Sequence, residues 1–147
     1  MQRSTDHFLT SHVGSLPRDK ELMQMMFAQE DGVPVDVSAM ATRVSQSVAD
    51  IVHKQKSLGI DIVNDGEMSK PSYATYIKDR LHGFGGSENS YVVDDLVEFT
   101  NLARRVGEDP SRQHRHAPGC KGPITVKNMD SVNADIRNMQ AAVGSAD

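Results

Sequence analysis

One stretch, residues 40–67, restricts the folding of this chain more than any other. Met40, Val44, Val48, Ile51, Val52, Gln55 and Leu58 fall on one stripe of a helix, with Asp36 or Ser38 placed to cap its start. Gly59 stands where helices commonly end on a glycine. Ile60-Asp61-Ile62-Val63-Asn64 then reads as a buried strand, and Asp65-Gly66-Glu67 forms a polar cluster at its C-terminal edge. Helix, glycine, strand and polar loop in that order make up the repeating unit of parallel α/β folds, where chemistry gathers at the C-terminal ends of strands. Composition and periodicity leave open whether such a sheet closes into a barrel or stays open.

The rest of the chain supplies further elements around this unit. Residues 8–13 are short and partly β-branched, and Gly14-Ser15-Leu16-Pro17 stops them, so they read as an earlier strand ending in a tight loop. Leu22, Met23, Met26 and Phe27 predict a helix over residues 19–29, broken by Asp31-Gly32-Val33-Pro34. A helix is expected over residues 71–81 and a flexible exit over 82–86. Leu96, Phe99, Ala103 and Val106 predict another helix ending near Gly107. Residues 111–118 read as a polar loop, and 121–127 as an extended or hairpin segment in which Pro123 favours an edge. Val132, Ile136, Met139 and Val143 mark a last helix, with Asp130 or Ser131 as its cap.

Length and charge exclude several classes of function. The 147 residues suit one domain with a real core. Sixteen Lys and Arg against twenty Asp and Glu give 16 − 20 = −4, and no basic block exceeds Arg104-Arg105. That argues against nucleic acid as a partner, because phosphate binding needs a concentrated basic face. No stretch approaches the roughly 18 apolar residues of a membrane span, and the opening residues lack the apolar segment of a secretory signal. A cytoplasmic protein is expected. The single cysteine, Cys120, excludes an internal disulfide and a multi-cysteine zinc site made by this chain alone. His114-x-His116-x3-Cys120 is read as polar surface rather than a metal site. Eight Met and no Trp point to a core of aliphatics and Met, with the run from Met23 to Met26 as core filling.

The polar loops and their flanks resemble a known family. Thr10-Ser-His-Val-Gly-Ser-Leu-Pro-Arg18 is similar to the Gly-Ser-(Phe/Leu)-Pro-Arg start of the cobalamin-independent methionine-synthase-like catalytic barrel, within the superfamily shared with uroporphyrinogen decarboxylase. The stretch from Gln55 to Glu67 resembles that family's Q-x-x-x-G-(I/L)-D-(I/V)-x-x-(D/H)-G-E segment. Tyr76 and Leu81-His-Gly-Phe-Gly match its continuation, and Gly122-Pro-Ile-Thr is similar to the stretch before its third strand. The decarboxylase's own Arg-rich N-terminal signature is absent. Any one match is weak; the ordered set from about Thr10 to Val143 is specific.

The resemblance implies an incomplete (β/α)8 fold, with two to three parallel strands in one partial barrel domain over residues 1–147. A complete barrel takes roughly 250 residues, so the expectation is an N-terminal portion, either a fragment or a truncated frame. A missing C-terminal half or a homo-oligomer would complete it. It further implies zinc-dependent methyl transfer from a folate-type donor to a thiol such as homocysteine, in methionine biosynthesis. The family's zinc ligands, a His-x-Cys pair, a Glu and a further Cys, lie later in its barrel. This chain alone is therefore expected to hold no zinc and to show no turnover.

By the same resemblance Glu67 pairs with the ammonium of the amino-acid thiol, and Ser15 contacts its carboxylate end. Gly14 and Gly66 let the backbone come close to the ligand. Asp65 is a further candidate, or only orients the loop; His12 and Arg18 are secondary ones. Without the resemblance, Asp65-Gly66-Glu67 is a solvated turn and Gly14-Ser15 a turn before Pro17. Two alternatives stay open: an alkyl-to-thiol transferase of the epoxyalkane:coenzyme M type, and a non-catalytic half-barrel used for binding.

Overall fold

A computed structural model describes residues 3–72, 76–90, 96–107 and 116–144. The chain divides into two compact units, Met1–Pro71 with Asp130–Asp147, and Ser72–Met129.

The first unit is built on three helices. Helix α1, Lys20–Glu30, starts at Asp19, whose carboxylate accepts the Leu22 amide at 3.0 Å. Helix α2, Val37–Ser57, starts at Asp36, which accepts the amides of Ser38 and Ala39 at 2.9 and 3.0 Å. Each cap satisfies donors that the first helical turn leaves without partners. Helix α2 stops where expected: Leu58 is its cap and Gly59 follows at φ 77°. Lys54 and Lys56 in its last turn face the negative end of the helix dipole.

The middle of the stripe read from the sequence is the buried face, while Met40 and Ile51 are half-buried and Leu58, at the helix end, is 70% exposed. Val44, Val48, Val52 and Gln55 are buried on α2, and the three valines form a core with Leu22 and Met26 of α1 and with Met68. A third helix, Asp130–Gly144 (called α5 below), packs along α2 and contributes Ala142, with Met139 against the core.

The parallel sheet expected around this core is reduced to one bridge. Ser11 and Ile62 pair in parallel, with the Ile62 amide donating to the Thr10 carbonyl at 3.0 Å. Side chains take the bonds that would extend the ladder. The Thr10 amide and hydroxyl both donate to Asp61, each at 2.8 Å, and His7 bonds the same carboxylate. Asn64 gives its side-chain amide to the His12 carbonyl at 2.6 Å, while its own amide and carbonyl bond the Gln55 side chain at 3.2 and 2.7 Å. Phe8 and Val13 stay about nine-tenths exposed. Direction and adjacency follow the parallel reading, but the described residues form no run of two or three parallel strands.

The second unit carries the antiparallel sheet. Helix α3, Ile77–Arg80, runs into strand β1, Leu81–Ser90; helix α4, Thr100–Gly107, and strand β2, His116–Val126, follow. Strands β1 and β2 pair antiparallel, Leu81 opposite Val126 and Phe84 opposite Cys120, with two breaks in register. Three expectations change here. Of the helix expected over residues 71–81, the described residues form only Ile77–Arg80, and residues 73–75 lie outside the described residues. The expected flexible exit at residues 82–86 is strand. The segment at 121–127 is extended as expected, within β2, but that strand begins at His116, inside the stretch expected as a polar loop, and it pairs antiparallel. The architecture is mixed α/β with a two-stranded antiparallel sheet.

Candidate functional site

Two loops of the first unit meet just beyond the Ser11–Ile62 bridge. The first, Gly14-Ser15-Leu16, leaves the bridge segment at Gly14, φ 92°. The second, Asp65-Gly66-Glu67, leaves the Ile62 segment and turns sharply, since Gly66 and Glu67 both have positive φ, 59° and 58°. Short local bonds shape that turn. The Asn64 side chain accepts the Gly66 amide at 2.9 Å, and Asp65 accepts the Glu67 amide at 3.0 Å.

The Leu16 amide donates to the Gly66 carbonyl at 2.9 Å and joins the loops. A methyl group on Gly66 would lie 3.1 Å from the Leu16 Cβ, so only glycine fits this crossing without displacement. The join brings the two main candidate side chains together, and the Ser15 hydroxyl donates to the Glu67 carboxylate.

Arg18 is held at the same turn. Its guanidinium does not pair with the Glu67 carboxylate; Nε and Nη2 donate to the Glu67 carbonyl at 3.2 and 2.8 Å. Burial pushes the Arg18 guanidinium below its ordinary range, and the nearby Glu67 and Asp65 carboxylates work against that shift. Asp65 lies 3.6 Å from the Lys70 ammonium, which also stands 3.8 Å from Asp135 on α5. His12 is half-buried beside the loops; its carbonyl takes the Asn64 bond, and its Nε2 is buried with no hydrogen-bond partner.

Every candidate site residue named from the sequence, Ser15, Glu67, Gly14, Asp65, His12 and Arg18, thus falls within these two loops or at their edges. Three that position the site were not named. Gln55 and Asn64 lock the second loop to α2, and Lys70 ties Asp65 to α5. Gln55 carried a readable signal, a polar residue on an otherwise apolar helical stripe. Lys70 carried none, because its partner Asp135 is distant in sequence.

Residues 8–100 match the family model described as the cobalamin-independent synthase catalytic domain. The chain belongs to that family. Its curated relatives include the 5-methyltetrahydropteroyltriglutamate–homocysteine methyltransferases of Mycolicibacterium paratuberculosis, 26% identical over 83 residues, and of Mycobacterium leprae, 28% identical over the same length. A third, from Rhodococcus jostii, is also 28% identical over 83 residues. Each match covers 56% of this chain and 11% of the relative, so the chain corresponds to about a tenth of those proteins' length. Both polar loops lie inside the family match.

The family resemblance implies zinc, and the described residues do not fit a zinc centre. No group of three or more His, Cys, Asp or Glu among them is placed to hold a metal ion. Cys120 is exposed on β2, and His114 lies outside the described residues. Among the described residues, no helix is long and apolar enough to cross a membrane.

Proposed function

We propose that the Ser15–Glu67 corner grips the amino-acid end of a homocysteine-like thiol, and that the chain contributes this corner to a methyl transfer from a folate-type donor to sulfur. One observation carries the reading: a hydroxyl and a carboxylate from loops 52 residues apart converge in hydrogen-bond contact, within the segment that matches the family. An α-amino acid presents an ammonium and a carboxylate side by side. The Glu67 carboxylate suits the ammonium as a charge-assisted acceptor. The Ser15 hydroxyl bonds Glu67 in the free chain and can turn to donate to the ligand carboxylate instead. Gripping both groups fixes where the thiol points, which is the entropic part of catalysis.

In the transfer itself, the thiol releases its proton to solvent and its sulfur attacks the methyl carbon to form the sulfur–methyl bond; the donor's N–CH3 bond breaks with its electron pair going to nitrogen, which takes up a proton from solvent. The curated relatives are named as 5-methyltetrahydropteroyltriglutamate–homocysteine methyltransferases, which supports a folate-type donor. We further read the Ser11–Ile62 bridge as the first parallel pairing of the family's barrel, and residues 1–147 as one portion of that domain, working in the cytoplasm.

Calorimetric titration with L-homocysteine under reducing conditions tests the binding step. The unaltered chain should bind, Glu67→Gln should weaken binding about tenfold or more through loss of a charge-assisted bond, and Ser15→Ala should weaken it several-fold. Equal affinity of the unaltered chain and Glu67→Gln would overturn the reading.

A further inference from the structure

Among the described residues, Glu67 is alone among non-glycines in having a positive φ. The left-handed region crowds the Cβ of an L-residue against its own backbone, and Glu lacks the short side chain that lets Asn or Asp relieve this locally. Such a conformation persists only where the surroundings impose it. Three contacts surround the Glu67 peptide groups. Asp65 accepts its amide at 3.0 Å, the Lys70 amide reaches its carbonyl at 3.1 Å, and Arg18 grips the same carbonyl with two donors at 2.8 and 3.2 Å. The first two are local to the turn. Arg18 is the long-range one, 49 residues away, and it comes from the loop that carries Ser15.

We propose that Arg18 is a positioning residue for Glu67: its fork on the Glu67 carbonyl holds the left-handed backbone that turns the Glu67 carboxylate onto Ser15. The proposal rests on the reading of Glu67 as the ammonium partner and adds how that carboxylate is aimed. The geometry explains why an arginine stands here. Two N–H groups of one planar fork converge on a single carbonyl oxygen, which the point charge of a lysine cannot reproduce. It also explains why a cation tolerates partial burial without an ion pair: the Glu67 and Asp65 carboxylates lie close enough to favour its charge while its donors serve the backbone. Arg18 therefore aims Glu67 rather than touching the ligand carboxylate.

Two readouts on residues 1–147 test this, with Arg18→Met, Arg18→Lys and Glu67→Gln beside the unaltered chain. The first needs no ligand. In heteronuclear NMR of the free chain, residue 67 should show the coupling and short intraresidue amide–Hα distance of positive φ in the unaltered chain and in Glu67→Gln. Arg18→Met should lose that signature, and Arg18→Lys should keep it only in part. Unchanged amide shifts at Val44, Val48 and Val52 establish that the core is intact; if Arg18→Met does not fold, Arg18→Lys carries the same test.

The second readout is the preference for L-homocysteine over 4-mercaptobutanoate, which keeps the thiol and carboxylate but lacks the ammonium. Arg18→Met should reduce that preference about tenfold or more, to the level of Glu67→Gln. A positive-φ signature that survives Arg18→Met would overturn the proposal. So would an equal weakening of both ligands with the preference intact, since that marks direct carboxylate binding by Arg18. If the unaltered chain shows no preference, the reading of Glu67 fails, and the NMR comparison still decides what Arg18 does.

Discussion

Replacing Gly66 with alanine should cost more than its backbone conformation alone explains. At φ 59° an alanine sits in the left-handed region, at about 1–2 kcal/mol. The new methyl would also meet the Leu16 Cβ at 3.1 Å, the Leu16 Cδ1 at 3.2 Å and the Met68 Cε at 3.0 Å. The Met68 terminus can swing away. The Leu16 Cβ cannot move freely, because the Leu16 amide is bonded to the Gly66 carbonyl. Crowding of this kind costs about 1–3 kcal/mol, so the total is about 2–5 kcal/mol.

Gly59 provides the control. Its φ is 77°, and nothing lies within 4 Å of an added Cβ, so Gly59→Ala should cost about 1–2 kcal/mol from conformation alone. Thermal unfolding followed by far-UV circular dichroism compares the two. With about 3–4 °C lost per kcal/mol in a chain of this size, Gly66→Ala should lower Tm by about 12 °C and Gly59→Ala by about 5 °C. Equal losses would mean that the two loops do not press together at Gly66, and the geometry of the site would be wrong.

Three other outcomes follow from the packing. Val52→Ala removes two methyl groups from a fully buried site and should cost about 2 kcal/mol in urea unfolding. Gln55→Met keeps the volume but leaves the Asn64 amide and carbonyl without their partner; it should cost about 2–3 kcal/mol and raise amide hydrogen exchange at residues 64–67. Asp61, bonded by His7 and by the Thr10 amide and hydroxyl, has its pKa lowered to about 2. A carboxylate depressed on folding stabilises the fold above its unfolded pKa of about 3.9, and that contribution disappears as pH falls from there through about 2. Urea midpoints should thus drop between about pH 4 and about pH 2, and Asp61→Asn should flatten that drop.

The helices of the first unit were legible because each rests on local signals that the structure uses. Asp36 caps α2, Gly59 terminates it, and the middle of its stripe, Val44 to Gln55, is the buried face. The site was legible for a related reason: its residues lie in two short loops, each directly after a strand-like segment. The extent of the sheet was not legible. Apolar β-branched residues at 8–13 and 60–64 signal extended chain, but Asp61, Asn64 and Gln55 divert the backbone bonds to side chains, and such diversion leaves no periodic trace. Strand β1 was missed because Gly83, Gly85 and Gly86 read as loop, whereas its pairing with β2 is a non-local choice that no window of β1 alone contains.

An NMR titration of the uniformly labelled chain with L-homocysteine tests the binding corner most directly. The account predicts that the amides of Ser15, Leu16, Gly66 and Glu67 shift together along one saturating curve, and that Glu67→Gln abolishes the shifts at the same ligand concentrations. Shifts confined to β1 and β2, or the same curve in Glu67→Gln, would contradict it.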